Sequence, residues 1–234
     1  MLILAFETSA KAASVALMDD TKLLGEVYQN TGLTHSQTLL RMAQDLMESC
    51  GYTPKQIEAV AVAAGPGSFT GVRIGVAAAK GFAWGAELPC CGVSTLEAMA
   101  RNMGVQEGFV LPVMDARREQ VYTALFEAQD GTLARITEDR AISLRQLEEE
   151  LKKLTKPIFL VGDGSVLCYN MLKETVCGLI CPPEHRMHQR AAGVALAGLE
   201  MLAEGKSCDA GALTPNYLRL SQAERERLER QQKA

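Results

Sequence analysis

A glycine-rich stretch at residues 63–81, AAGPGSFTGVRIGVAAAKG, has the composition of a loop that could hold a phosphate group. Its glycines stand at positions 65, 67, 71 and 75. A Walker A loop requires GxxxxGK[ST], because its amides wrap the phosphates while the lysine reaches the terminal one. The residues five positions after the first two glycines are Thr70 and Val72, so that pattern fails. A dinucleotide fingerprint fails too, since its third glycine would come one residue late and no acidic residue ends the strand CCGVST.

Two uses of this stretch remain. A helix beginning near Thr70 would offer free amides and a positive dipole end to an anion. Alternatively, Gly71, Gly75, Ala78 and Ala79 form a stripe of small residues that lets the helix pack closely against a strand or another helix. We favour the packing interpretation, and the two uses are compatible.

Composition and charge indicate a folded protein without a strong bias toward polyanions. The 234 residues are 47% hydrophobic and 22% charged, with a formal net charge of −4. Any RNA contact would therefore come from a local patch or from a partner. The apolar run 1–6 is too short for a signal peptide and lacks a basic flank, so we expect a cytoplasmic protein without a membrane segment.

Metal chemistry is not indicated by the sequence. No pair among the seven cysteines has the CxxC spacing typical of zinc or redox sites, which favours reduced thiols that act as small hydrophobic residues. His185 and His188 could face the same way, but no cysteine or carboxylate cluster accompanies them. We therefore predict no metal site.

The predicted elements occur in the same order in two halves of the chain. Each half reads as β-β-β-α-β-α-β-α, with helix starts indicated by the THSQ segment at 34–37, by Ser94 and by Ser143. This is an α/β pattern, and it implies a mostly parallel sheet with an antiparallel edge in each half. We predict an N-terminal lobe at 1–106, a C-terminal lobe at 107–214 and a polar, solvated tail at 215–234.

Six segments of the chain resemble a known family. They are LAFETSAKAASVAL, THSQTLL, AAGPGSFTGVRIG, VMDARREQVYTALF, LVGDGS and TPNYLRL. In order and spacing they are similar to the TsaB (YeaZ) family of bacterial tRNA threonylcarbamoyladenosine biosynthesis proteins. The resemblance covers nearly the whole chain. It implies the actin-like, Hsp70-like ATPase superfamily fold with two ribonuclease-H-like lobes, which agrees with the duplicated pattern.

The resemblance also points to a nucleotide site that has been partly lost. Proteins of that superfamily use two acidic hairpins, one per lobe, whose glycines let backbone amides approach the phosphates. Here Glu7-Thr8-Ser9 lacks the glycine, and Asp115 is followed by Ala116, Arg117 and Arg118. We therefore expect no cofactor in this chain, although the arginines could still bind phosphate of a nucleotide or RNA by charge. The candidate residual contacts are Glu7, Thr8, Ser9, Gly67, Ser68, Asp115, Arg117, Gly162 and Gly164.

No catalytic residue is predicted. Paralogues of the TsaD type carry paired histidines that hold a metal in the stretch corresponding to 92–103, and this chain has no imidazole there. A serine peptidase would need a base, and His35 has no evident nucleophile and orienting carboxylate at a readable spacing. His35 is better explained as a residue of a helix start or an interface.

What the resemblance implies is a binding module. The chain would be a non-catalytic partner and activator of TsaD, working with TsaE to modify the adenosine beside the tRNA anticodon, with ATP and metal on TsaD. A homodimer would form in the absence of TsaD. The alternative is an independent ATPase or kinase. The expected partner-binding residues, some of which could instead face the core, are His35, Ser36, Leu39, Leu40, Met42, Ala43, Leu46, Arg73 and Val76.

Overall fold

Each half of the chain builds its own β-sheet in a computed structural model, which describes residues 1–104 and 106–219. The strands of the first sheet are β1 (Leu2–Glu7), β2 (Ala13–Asp19), β3 (Lys22–Gln29), β4 (Ala59–Gly65) and β5 (Cys90–Ser94). They lie in the order β3-β2-β1-β4-β5. The pairs from β3 to β1 are antiparallel and those from β1 to β5 are parallel, as predicted.

The second sheet repeats this plan with extra strands. Its strands are β6 (Gly108–Asp115), β7 (Gln120–Thr123), β8 (Phe126–Gln129), β9 (Thr132–Arg135), β10 (Arg140–Ser143), β11 (Ile158–Val161) and β12 (Leu179–Ile180). The main path is β10-β7-β6-β11-β12, and β8 pairs with β6 and β9. The prediction of three strands before the first helix of this half is wrong. Two of them are interrupted where the Leu125 carbonyl accepts hydrogen bonds from the amides of Ile136 and Thr137.

Seven α-helices cover the two sheets in the described residues. They are α1 (His35–Ser49), α2 (Phe69–Ala86), α3 (Thr95–Asn102), α4 (Leu144–Leu151), α5 (Ser165–Leu172), α6 (Glu184–Met187) and α7 (Ala191–Ala203). Helices α1 and α2 cover one face of the first sheet, and α7 covers the other. Helices α4 and α5 cover one face of the second sheet, and α3 covers the other. Each sheet is therefore buried on both faces, which is why its central strands are continuous apolar runs.

Alternation along β1 shows how one apolar run serves two layers of helices. Leu4 and Phe6 point toward α1 and α2, whereas Ile3 and Ala5 point toward α7. The α7 side of the sheet is lined by small residues, and a Cβ at Gly198 would lie 2.6 Å from that of Ala61. Small side chains on both surfaces let this helix pack close to the sheet.

The two helices that end the repeats are exchanged between the lobes. Leu96 and Met99 of α3 pack with Val110 and Phe126 of the second sheet, and α7 packs on the first. The predicted division at 106/107 and 214 therefore follows the chain order of these two helices and not the sheet on which each one packs. Amphipathic spacing indicates that a face is buried but does not identify the sheet that buries it. Of the predicted tail, 220–234 lies outside the described residues.

Side chains of the first lobe fix the start of α7. The Ser14 hydroxyl accepts the Ala191 amide at 2.7 Å, and the Glu26 carboxylate accepts the Ala192 amide at 3.2 Å. Glu26 also pairs with Arg190 at 2.7 Å. A carboxylate at a helix N-terminus satisfies open amides and complements the helix dipole. These contacts anchor the helix to a lobe distant in sequence.

The predicted helix starts are confirmed at all three places, but only two of them have a side-chain cap. Ser94 accepts the Glu97 amide and Ser143 accepts the Gln146 amide, each at 3.2 Å. The side chain of Thr34 forms no cap, so the capping box predicted there is wrong. Instead, the backbone carbonyl of Thr34 accepts the Gln37 amide at 2.9 Å.

An ion cluster joins the crossed helices to the second lobe. Glu97 of α3 accepts hydrogen bonds from Arg101 and Arg135, each at 2.8 Å, and Arg101 also pairs with Glu200 of α7. Arg135 also binds Asp139 at 2.7 Å. Burial alone would raise the pKa of Glu97, but the two arginine bonds outweigh it and hold the pKa below its usual value.

We expect Gly193→Ala to destabilise the protein, because a Cβ at Gly193 would overlap the Ala98 carbonyl oxygen where α7 crosses α3. The expected loss is about 1 to 3 kcal/mol of unfolding free energy. The matched control is Gly81→Ala, an exposed helical position with nothing within 4 Å of the added methyl group. That change should stabilise by about 0.5 to 1 kcal/mol. Urea unfolding measures both, and equal effects of the two substitutions would contradict the crossing argument.

Candidate functional site

A cleft of about 570 Å³ opens between the two lobes. Three parts of the chain line it: the β1–β2 turn with the glycine stretch, the strand end and turn of β6–β7 with Tyr122 and Asp163, and the segment 216–219. We call it the interlobe cleft. The predicted residues that line it are Ser9, Gly67, Ser68, Asp115 and Arg117.

A buried carboxyl group lies next to the lining of the interlobe cleft on the first-lobe side. Glu7 is fully buried at the end of β1, and its Oε1 accepts the Ser9 amide at 2.5 Å. Within the described residues, Glu7 Oε2 and Ser9 Oγ have no hydrogen-bond partner. Burial raises the pKa of Glu7 to about 7, against the opposing effect of the hydrogen bond from the Ser9 amide. This carboxyl group is therefore only partly ionised at neutral pH.

A second carboxyl group comes from the other lobe. Asp163 lines the cleft and accepts a 2.9 Å hydrogen bond from the side-chain amide of the buried Gln189. Burial raises the pKa of Asp163 above its usual value, and this hydrogen bond opposes the effect. The Asp115 and Asp163 carboxyl groups in the lining make the interior of the cleft unfavourable for a bare anion.

The glycines of the 63–81 stretch serve close packing. A Cβ at Gly71 would overlap the Thr8 carbonyl oxygen, and one at Gly75 would overlap the Thr8 hydroxyl. A Cβ at Gly67 would lie 2.5 Å from the Ser9 carbonyl oxygen. This confirms the packing interpretation for Gly71 and Gly75, which bring α2 against the end of β1.

The same packing uses several amides that an anion would need. The Ser68 amide donates to the Ser9 carbonyl at 2.7 Å, and the Gly71 amide donates to the Ser68 hydroxyl at 3.3 Å. The Val72 amide donates to the Ser68 carbonyl at 2.8 Å. Within the described part of the chain, only the amides of Phe69 and Thr70 are left without a partner in the first turn of α2, which reduces its capacity to hold a phosphate.

Gly162 and Gly164 pack against the backbone of β6. A Cβ at Gly162 would overlap the Val113 carbonyl oxygen, and one at Gly164 would lie 3.0 Å from the same atom. The Gly164 amide donates to that carbonyl at 3.0 Å. Neither glycine lines the interlobe cleft.

The β6–β7 turn is left-handed and carries charged side chains. The backbone φ angles of this turn are positive, a conformation that residues other than glycine seldom adopt. They are 62°, 56° and 56° at Arg117, Arg118 and Glu119. Asp115 Oδ1 accepts the Arg117 amide at 2.7 Å. Both arginines are exposed, and Arg117 lines the cleft. The second hairpin thus presents guanidinium groups at the cleft rim.

Sequence reasoning missed the segment that crosses the cleft mouth. Residues 213–219, which we call the C-terminal strap, run from the first lobe to the second. The Asn216 amide donates to the Ala64 carbonyl at 2.6 Å, and Arg219 donates to the Ala116 carbonyl at 2.7 Å. The motif TPNYLRL, one of the segments that carry the family resemblance, covers most of the strap. The sequence therefore marks this segment but does not show that it crosses the cleft.

Tyr217 anchors the strap on α2. Its ring stacks on Phe69 with centroids 4.7 Å apart, and its hydroxyl accepts a 2.8 Å hydrogen bond from Arg73. The Arg73 guanidinium also lies 3.8 Å from the centroid of the Phe69 ring. Arg73 is therefore engaged with the strap, although its side chain remains exposed.

The predicted partner-binding residues divide into core and surface. Leu39, Met42, Ala43, Leu46 and Val76 are buried in the core of the first lobe, each at most 5% exposed. These five are core residues, because the sides of α1 and α2 that face the first sheet are broad and bury more residues than a single narrow row. Ser36, Leu40 and Arg73 are exposed. His35 is half-buried, and its ring binds the Ala10 carbonyl at 2.9 Å.

Side chains of the stretch 92–103 contact the second half of the chain. Ser94 binds Asp139 at 2.5 Å, and Glu97 belongs to the ion cluster. Among residues 1–104 and 106–219, no group of three potential metal ligands occurs. No helix described is both long and apolar enough to span a bilayer.

Comparison with known proteins identifies the family of this chain. Residues 23–227 match the family model described as "TsaD: tRNA N6-adenosine threonylcarbamoyltransferase". The chain is 33% identical to the tRNA threonylcarbamoyladenosine biosynthesis protein TsaB of Bacillus subtilis, over 99% of this chain and 100% of that one. The chain belongs to the TsaB family. Membership supports a role in tRNA threonylcarbamoyladenosine biosynthesis.

Solved structures support the TsaB assignment and the fold. YeaZ from Pseudomonas aeruginosa superposes with a TM-score of 0.75 at 25% identity, covering 93% of this chain and 99% of that one. The ethanolamine utilization protein EutJ from Carboxydothermus hydrogenoformans gives a TM-score of 0.51 at 14% identity, over 85% and 90% of the two chains. The latter likeness concerns the fold alone. This TsaB-family chain has the actin-like ATPase fold predicted from its sequence.

We expect Glu7→Gln to remove a pH-dependent loss of stability. Glu7 ionises near 4.5 when unfolded and near 7 when folded, so the unfolded state loses its proton first. The free energy of unfolding should therefore fall as pH rises from 4.5 to 7. Relative to the wild type, the variant should gain roughly 3 kcal/mol across that interval. Urea unfolding at several pH values measures this difference, and parallel pH profiles would contradict it.

Proposed function

We propose that this chain is a non-catalytic partner and activator of TsaD. Together with TsaE, the pair would transfer a threonylcarbamoyl group to the adenosine next to the anticodon of tRNAs that read codons beginning with adenine. ATP and metal would bind to TsaD, and the complex would act in the cytoplasm. The observation that carries the proposal is family membership combined with an interlobe cleft that lacks the glycine-lined hairpins of a nucleotide site.

The shared family model supports pairing with TsaD. Because residues 23–227 match a model built for TsaD, the two proteins share most of their architecture. Related folds can pair through equivalent surfaces about a pseudo-two-fold axis, as identical subunits do about a true one. A homodimer through the same surface would then form when TsaD is absent.

The outer side of α1 and α2 offers such a surface. Both helices cover the same face of the first sheet, so their exposed sides point away from it together. Leu40 is 58% exposed on α1, and Trp84 is 69% exposed on α2. Ala77 and Gly81 are exposed on α2 as well, and small residues allow a close approach of partner helices. Large exposed apolar side chains next to exposed small residues are typical of an interface.

The alternative is an independent ATPase or kinase. It is favoured by the cleft itself, which retains Ser9, Gly67 and Asp115 along its lining. Against it, the β6–β7 turn carries two arginines, and the glycine pair at 162 and 164 packs on β6. Calorimetry of the lone chain with ATP and magnesium separates the two functions. Tight binding with turnover would establish the alternative and exclude the module.

Reconstitution tests the proposal directly. The tRNA modification is measured with TsaD, TsaE, substrates and ATP, with and without this chain. We expect modification only when the chain is present and no ATP turnover by the chain alone. Equal modification in its absence would refute the activator role.

We expect Leu40→Glu to weaken association with TsaD at least tenfold without unfolding the lobe, because a charge would enter an apolar interface. Leu46 provides the matched contrast at 3% exposure. Leu46→Glu should instead unfold the protein, since it buries an unpaired charge in the core. Circular dichroism and calorimetric titration with TsaD distinguish the two effects. Unchanged affinity of folded Leu40→Glu would place the interface elsewhere.

A further inference from the structure

Cations from three separate parts of the chain meet at the rim of the interlobe cleft. Lys11 comes from the β1–β2 turn, Arg117 from the β6–β7 turn and Arg219 from the strap. Arg118 is exposed beside Arg117. Within the described residues, Lys11, Arg117 and Arg118 form no ion pair with a carboxylate. This rim is a local positive patch on a chain of net charge −4.

Aromatic groups accompany these cations on the same rim. Tyr217 lines the cleft mouth and is 41% exposed, so part of its ring is open to solvent. Its stacking on Phe69 and the hydrogen bond from Arg73 hold the ring in a fixed orientation. A rigid, partly exposed aromatic ring among cations is the arrangement that binds unpaired bases and their phosphates.

The interior of the cleft disfavours a deeply bound anion. Asp115 and the half-buried Asp163 line the cleft, and the fully buried Glu7 accepts the amide of the lining residue Ser9. Carboxylates at this depth repel a phosphate that enters the cleft but affect one at the rim less, because Coulomb repulsion falls with distance and with solvent screening. The charge order is therefore positive at the mouth and acidic inside. An extended polyanion that lies across the mouth fits this order better than a triphosphate inserted into it.

We infer that the rim formed by Lys11, Arg117, Arg219 and Tyr217 binds single-stranded RNA, with phosphates on the cations and a base on the tyrosine. The inference rests on the proposed function, which supplies a substrate with an exposed single-stranded loop. It assigns to this chain a direct contact with the RNA beside the modified nucleotide. Two surfaces then act separately: α1 and α2 for the protein partner, and the rim for the RNA.

The test is binding of the full-length chain to a fluorescent tRNA anticodon stem-loop, followed by anisotropy at several salt concentrations. We expect Lys11→Glu and Arg117→Glu each to weaken binding about tenfold and to lower the salt slope by about 0.7 for each phosphate that the variant no longer binds. Tyr217→Ala should also weaken binding about tenfold, whereas Tyr217→Phe should bind nearly as well as the wild type. Circular dichroism confirms that each variant is folded.

The matched control is Arg145→Glu on α4, which makes the same charge change at an exposed position outside the cleft. It should leave RNA binding nearly unchanged. Equal weakening by this control, absence of RNA binding at low salt, or unchanged binding by the rim variants would each overturn the inference. The last measurement adds ATP to the RNA complex. Displacement of the RNA by micromolar ATP would show a nucleotide site instead.

Failure of this inference can be told apart from failure of the proposed function. Association with TsaD is measured on the same variants by calorimetry. Rim variants that keep TsaD affinity and lose RNA binding support both conclusions. Wild-type RNA binding by rim variants in a chain that still activates TsaD would refute the RNA contact alone.

Discussion

The close crossing of α3 and α7 is the constraint on which the rest of the structure depends. Gly193 lies against the Ala98 carbonyl, where a methyl group would not fit, and each helix packs on the sheet of the other half of the chain. Neither lobe can therefore complete its core without the other. Ser14, Glu26 and the Glu97 cluster fix the ends of the crossed helices with hydrogen bonds and charge pairs. The lobes form one structural unit, and the interlobe cleft is a consequence of how they are joined.

Close packing at the ends of β1 and β11 accounts for four glycines that could otherwise be attributed to a nucleotide loop. Gly71 and Gly75 bring α2 against Thr8, and Gly162 and Gly164 bring the end of β11 against β6. Both contacts hold the strand ends that border the cleft. A fold inherited with a nucleotide site would keep such glycines even where phosphate binding is lost, because a side chain there would separate the layers. Retained glycines are thus weak support for nucleotide binding in this chain.

Much of the fold is predictable from the sequence, because residue type and spacing indicate where individual strands and helices lie. The apolar runs at β1 and β4 and the serine caps at Ser94 and Ser143 were readable from residue types and spacing. The exchange of α3 and α7 between the lobes is not predictable in this way, because an apolar helix face shows that the helix is buried but not which sheet buries it. At the site, the sequence predicts the charged turn at Arg117, but it predicts a solvated tail for most of the strap. Its anchor, Tyr217 on Phe69 and Arg73, joins residues 144 positions apart.

The strap lies between the two proposed binding surfaces. It is held to α2 through Tyr217 and to the second lobe through the Ala116 carbonyl, so it spans the cleft mouth between the partner helices and the charged turn. A partner that docks on α2 near Arg73 would meet the same side chain that positions the Tyr217 ring. Partner binding and RNA binding would therefore share one element while using different residues.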